Sequence, residues 1–203
     1  MKLLIDSDVF CKLGMAQLLP DAVNHFGIDL QECSRLAALP HMLRKGRLRK
    51  RLSPEVCDEL IPLSETIPVI NQAGSDWLDL LAPIEAIDPG EAQIFATAAE
   101  EGLLVLTGDK RALRALGVVE EIREALAGRI VVLESILLVL CTSLGEDEVR
   151  RRVQPLIEFD NMVRACFSGG NQNPSEALES YYDHLVAELK PLVLWNPRNG
   201  GKE

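Results

Sequence analysis

The chain has 203 residues, of which 47% are hydrophobic and only 4% aromatic, and it carries a net charge of −10. That length predicts one sizeable domain with an aliphatic core, or a domain of about 130–150 residues with an appendage. No membrane span is expected, because the best apolar run, Ile130 to Cys141, is broken by Glu134 and Ser135 and is shorter than the roughly 20 residues required. Lys2 and Asp6 interrupt the N-terminus too early for a secretory signal, so a soluble cytoplasmic protein is expected.

Met1 to Ile5 reads as a buried first strand. Ser7-Asp8 is expected to cap a helix from about Val9 to Leu19, and Pro20 to start a further turn that stops at Gly27. A short second strand is placed near Gln31–Ser34 and a helix over Leu36–Leu43. Ser53-Pro54 starts another helix, with serine as N-cap and proline at the first helical position, running to about Ser64. Asp88-Pro89-Gly90-Glu91 opens the next, which ends near Gly102. Leu103–Thr107 reads as a strand, Lys110–Leu116 as a helix and Ile130–Leu133 as a strand. After Gly145 only helices are expected: one near 146–167 interrupted by Pro155, a Gly-Gly-Asn-Gln-Asn-Pro loop, and one near 175–190.

Short apolar runs alternating with amphipathic helices predict an α/β fold with a parallel sheet over residues 1–142, followed by a helical extension over 143–203. In such sheets the functional crevice lies beyond the carboxyl ends of the strands. Asp6 and Asp109 follow apolar strands, and Glu91 opens a helix. Each has a structural alternative. Asp88 and Glu91 fit a capping box, Asp109 fits a cap for Lys110–Leu116, and Asp6 or Asp8 fits a cap for the first helix. Capping alone does not account for acids after two deeply apolar strands. Carboxylates gathered at one sheet edge would repel unless a cation neutralised them. An all-oxygen set suits Mg²⁺ or Mn²⁺ better than zinc. Thr107 is placed to bond a carboxylate or phosphate oxygen, or serves as a β-branched strand residue.

The charge is unevenly spread. Arg44, Lys45, Arg47, Arg49, Lys50 and Arg51 put six cations within eight residues, and taking those six from a net −10 leaves −16 on the rest. The stretch is either a solvated basic face or a patch that tracks a phosphate backbone. The five cysteines, Cys11, Cys33, Cys57, Cys141 and Cys166, have no ligand or disulfide spacing and read as buried thiols. The three histidines are isolated, with His25 and His41 in packing or surface roles.

Leu3-Leu4-Ile5-Asp6-Ser7-Asp8-Val9, Asp88-Pro89-Gly90-Glu91-Ala92-Gln93-Ile94-Phe95-Ala96 and Leu104-Val105-Leu106-Thr107-Gly108-Asp109-Lys110-Arg111-Ala112-Leu113 resemble, in order and spacing, the acidic motifs of PIN domains. The resemblance covers roughly residues 1–140. It implies a three-layer α/β/α sandwich and a metal-dependent ribonuclease that binds Mg²⁺ or Mn²⁺. Asp6, Glu91 and Asp109 would be its catalytic and metal-binding acids, with Asp8, Asp88 and Thr107 as auxiliaries. The basic stretch, with Lys110 and Arg111, would hold the RNA backbone. Many such proteins are toxins with an antitoxin partner, often homodimeric.

The family's further acid, on a helix after the second strand, has no counterpart in Ser34-Arg35-Leu36-Ala37-Ala38-Leu39-Pro40, and Glu32 falls on the expected strand. The site would then use fewer ligands, recruit Glu32, or belong to a non-catalytic RNA- or protein-binding module. A further alternative is a haloacid dehalogenase-type phosphatase, whose nucleophile motif Leu4-Ile5-Asp6-Ser7-Asp8-Val9 resembles. Gly108-Asp109-Lys110-Arg111-Ala112-Leu113 lacks the second acid of that family's last motif.

Overall fold

The computed structural model describes residues 2–168 and 173–199; positions 169–172 of the expected loop lie outside them. The chain forms an α/β fold around a four-stranded parallel sheet of order β2-β1-β3-β4. Strand β1 (Leu3–Ile5) leads into α1 (Ser7–Met15) and α2 (Leu19–Asn24), and β2 (Cys33–Arg35) follows. Next come α3 (Leu39–Arg44), α4 (Arg47–Arg51), α5 (Pro54–Thr66), α6 (Ser75–Leu81) and α7 (Pro89–Glu101). Strand β3 (Leu104–Thr107) then enters beside β1, pairing Ile5 with Leu106, and β4 (Ile130–Val132) arrives after α8 (Lys110–Leu116) and α9 (Glu120–Ala125).

Strands β1, β3 and β4 are buried along their whole length, which is why they are continuous apolar runs rather than alternating ones. From β1 the chain moves one way to β2 and then back past β1 to β3, so right-handed crossovers put helices on both faces. Helices α1, α2 and α10 (Leu133–Leu144) meet on one face, while α7 packs with α6 and α9 on the other. Between β1 and β3 the strand order reverses, and a crevice opens beyond their carboxyl ends.

Several boundaries differ from those expected. The first helix begins at Ser7, with Asp6 rather than Ser7-Asp8 as its N-cap. The second strand lies two residues later, because Leu30–Glu32 forms a 3-10 turn closed by a capping box between Asp29 and Glu32. The apolar run expected as a strand to Leu133 turns helical there, and its helix α10 is buried from Leu133 through Cys141. Helix α7 ends where expected, at Gly102, whose φ of 66° is a left-handed conformation that suits glycine. All five cysteines are buried free thiols, and His25 packs edge-on against Phe26 and Trp195.

Residues after 144 form α11 (Glu146–Arg152), α12 (Asn161–Phe167) and α13 (Pro174–Glu188). This extension shares the core of the sheet domain. Val149, Val163, Phe167, Leu178 and Leu185 are buried in the same apolar cluster as the strands, and α13 packs along α10. The chain then returns to the sheet. Leu194 bridges Ile130 in parallel, the Gly128 amide donates to the Val193 carbonyl (2.9 Å), and the Trp195 amide to that of Ile130 (2.8 Å). At the opposite edge, Val69 bridges Arg35.

One continuous core predicts one cooperative transition. Leu178→Ala, at a fully buried site of the extension, should destabilise the whole protein by about 2–5 kcal/mol. Urea unfolding followed by circular dichroism and by tryptophan fluorescence should give coincident, equally shifted curves. Two separated transitions with only one displaced would disprove the shared core.

Candidate active site

The carboxylates singled out from the sequence converge. Asp6, Asp8, Asp88, Glu91 and Asp109 line one cleft of about 490 Å³ at the β1/β3 switch point, together with Arg47, Arg51, Lys110 and Arg111. Backbone pairing sets the floor. The Asp6 amide donates to the Leu106 carbonyl (3.0 Å), which carries the ladder one residue past β1 and places Asp6 beside the end of β3. Thr107, fully buried, donates from its hydroxyl to Asp6 Oδ2 (3.4 Å) and accepts from the Asp109 amide (3.4 Å). Its hydroxyl thus links the Asp6 carboxylate to the Asp109 backbone.

Capping and convergence coexist. Asp6 Oδ1 accepts from the Ser7 amide at the start of α1 (2.6 Å). Asp88 Oδ1 accepts from the amides of Gly90 and Glu91, and Glu91 Oε2 accepts in return from that of Asp88 (2.7 Å). Asp109 Oδ1 accepts from the amides of Arg111 and Ala112 at the start of α8. Each cap occupies one oxygen and so fixes the direction of the other. Three helix N-termini meet at the cleft, and their dipoles favour negative charge there.

The repulsion is visible in the acidities. Burial, then the charge of Asp8, pushes Asp6 up to about 6, against the pull of the Ser7 amide and the Thr107 hydroxyl. Glu91 is pushed up to about 7 by burial, with the Asp88 amide opposing and a hydrogen bond from its carboxyl group to Asp109 adding to the rise. Burial also acts on Asp109, yet the amides of Ala112 and Arg111 and the bond from Glu91 hold it below the usual carboxylate range. Of this pair, Glu91 is the acid that holds its proton toward neutral pH.

The outer acids are neutralised by cations. Asp8 is paired with Lys12 (2.6 Å) and Arg51 (2.9 Å), and Asp88 with Arg47 (3.3 Å). Lys12 also reaches Asp160 of the extension (2.8 Å). Burial works against the charge on Lys12, but the two carboxylates outweigh it and raise its pKa. Lys110 is held by Glu134 (2.9 Å), a carboxylate only 2% exposed at the start of α10.

The basic stretch divides. Arg47 and Arg51 face the cleft, whereas Arg44 pairs with Glu65 and Arg49 with Asp58, both on α5. Lys45 and Lys50 are exposed and make no ion pair among the described residues, while Arg111 lies at the cleft mouth. Glu32 is corrected. It lies before β2, at the amino end of the sheet, exposed and bonded to the Asp29 amide, and so cannot join the cleft. At the other end of β2, Leu36 packs over Gly90, so an apolar side chain stands there. Lys12 and Glu134 were not singled out from the sequence. The signals present were the four-residue spacing from Asp8 to Lys12 and the break that Glu134 makes in an apolar run.

Comparisons with protein-family models, with curated proteins and with solved structures find no match to this chain. The chemistry of the cleft therefore stands on its own geometry. Among the described residues, no group of three or more His, Cys, Asp or Glu is drawn together closely enough to hold a metal ion as it stands. Asp6, Glu91 and Asp109 do offer carboxylate oxygens to one cleft, the donor type that a hard cation takes.

The raised acids carry a linkage prediction. Their folded pKa values lie above those of the unfolded chain, so the stability they contribute is full below about pH 4 and is lost as pH rises through 6 to 7. His25, lowered by burial, acts in the opposite direction, so the comparison must be with a variant. In EDTA, Asp6→Asn should remove about 1–1.5 kcal/mol of the fall in stability between pH 5 and pH 8. Urea midpoints across that range test this; an unchanged slope in the variant would refute the assignment.

Proposed function

We propose that this protein is a metal-dependent ribonuclease with a PIN-like three-layer fold. The observation that carries the reading is the convergence of Asp6, Glu91 and Asp109, from three separate segments, in one cleft with a cationic rim. Acids alone would repel a polyanion; acids ringed by Arg47, Arg51, Lys110 and Arg111 accept one once a cation is held among them. The choice of RNA rests on the PIN-domain resemblance.

Asp6, Glu91 and Asp109 would hold Mg²⁺ or Mn²⁺, which when bound lowers the pKa of a water and stabilises charge on the phosphate being attacked. Thr107 fixes Asp6 and Asp109 relative to one another through its hydroxyl. Lys110, steadied by Glu134, presents its ammonium to a phosphate at the mouth, and Arg111 beside it extends that surface. The Lys12 and Arg51 pairs occupy both Asp8 oxygens and give Asp8 an organising role outside the ligand set. The same pairs weigh against the phosphatase reading, which needs an Asp8 carboxyl free to meet the leaving group.

A second reading has an observation of its own. The stretch from Ser34 to Pro40 carries no acid, and Leu36 packs over Gly90 beside the cleft. No metal-ready group is formed among the described residues, which favours a non-catalytic RNA-binding module. One experiment separates the two. The ribonuclease should cleave a single-stranded RNA with Mn²⁺ or Mg²⁺, lose all activity in EDTA, and slow at least about 100-fold in Asp109→Asn, since even outer-shell partners cost up to that much. Cleavage by Asp109→Asn at the wild-type rate would defeat the assignment. RNA binding with neither cleavage nor Mn²⁺ binding would establish the module instead.

A further inference from the structure

We propose that Arg47 and Arg51 are exchangeable counter-cations: they occupy the cleft carboxylates in the free protein and transfer to substrate phosphates when a divalent cation enters. The inference rests on the metal-dependent reading and adds how access to that site is regulated. Four residues apart on α4, the two side chains lie on one side of the helix. They reach different walls of the cleft, Arg47 to Asp88 at the start of α7 and Arg51 to Asp8 on α1. Between them, Leu48 is buried and anchors the helix, so both guanidinium groups swing from a fixed base.

Exchange requires pairs that are easily broken and acids that survive the loss. The Arg47 and Arg51 side chains are 66% and 52% exposed, and ion pairs so open to water are weak and screened by salt. The Lys12 pair with Asp160 is different, with side chains only 14% and 12% exposed. When Arg51 leaves, Asp8 keeps Lys12; when Arg47 leaves, Asp88 keeps the amides of Gly90 and Glu91. A cation arriving among Asp6, Glu91 and Asp109 repels both guanidinium groups, and a phosphate offers them a matched, two-pronged acceptor. No charge is stranded in either state.

The test measures two affinities expected to move in opposite directions. Mn²⁺ binding, followed by electron paramagnetic resonance, should tighten roughly two- to fivefold in Arg47→Gln and in Arg51→Gln, the range expected for losing one exposed competing pair. Binding of a single-stranded oligoribonucleotide in Ca²⁺, followed by fluorescence anisotropy, should weaken. Its log–log salt slope should become shallower by about 0.7 per arginine. Arg151→Gln, removing the same charge from the extension, should leave Mn²⁺ affinity unchanged. Unchanged or weaker Mn²⁺ binding in both cleft variants overturns the exchange, while binding by the wild type keeps the metal reading. Failure of wild type and variants alike to bind Mn²⁺ overturns both. Mn²⁺ binding by the variants but not by the wild type would be the strongest support.

Discussion

Five carboxylates that share one cleft must be relieved of their mutual repulsion, and most of the structure around the β1/β3 switch point serves that need. Three kinds of relief operate at once. Helix N-termini supply amide donors to Asp6, Asp88, Glu91 and Asp109. Burial lets Asp6 and Glu91 keep their protons further toward neutral pH than ordinary carboxylates do. Lys12, Arg47 and Arg51 neutralise the outer acids. The inner acids therefore rely on amides and protons, the outer ones on side-chain cations. That division leaves Asp6, Glu91 and Asp109 without a paired side-chain cation among the described residues.

Support for the cleft comes from far along the chain. Lys12 links Asp8 to Asp160, and Asp160 also caps α12 through the Val163 amide. Lys110 at the mouth is fixed by Glu134 on α10, the helix against which α13 packs. Removing one partner of a buried ion pair leaves an uncompensated charge, so these links bind the stability of the extension to the geometry of the site. The extension is helical, as its sequence implies, but it is continuous with the core that carries the acids.

What could be read from the sequence follows from where each signal is local. Strands β1, β3 and β4 were legible because parallel strands buried on both faces are unbroken apolar runs. Ser53-Pro54, Asp88-Pro89 and Asp109 marked helix starts because capping is a short-range interaction. Helix α10 escaped because it is buried nearly all round and so lacks a helical period of polar residues. Helix α4 was hidden by its run of cations. Asp6, Glu91 and Asp109 could be grouped because strand ends of one parallel sheet share an edge. The pairing of Arg51 with Asp8, Lys12 with Asp160 and Lys110 with Glu134 joins residues distant in sequence, and no local pattern encodes it.

The bridges from Val69 to Arg35 and from Leu194 to Ile130 have a consequence for assembly. A parallel sheet normally ends in rows of unpaired amides and carbonyls, open to annexation by a foreign strand. Here the chain's own segments cap both outer strands, with the amides of Ile70 and Trp195 donating to Arg35 and Ile130. Each outer strand is thus covered at one end, β2 at Arg35 and β4 at Ile130, which shortens the edge left for strand donation. A partner that joins this protein therefore finds less open strand edge to extend and more helix and loop surface to read.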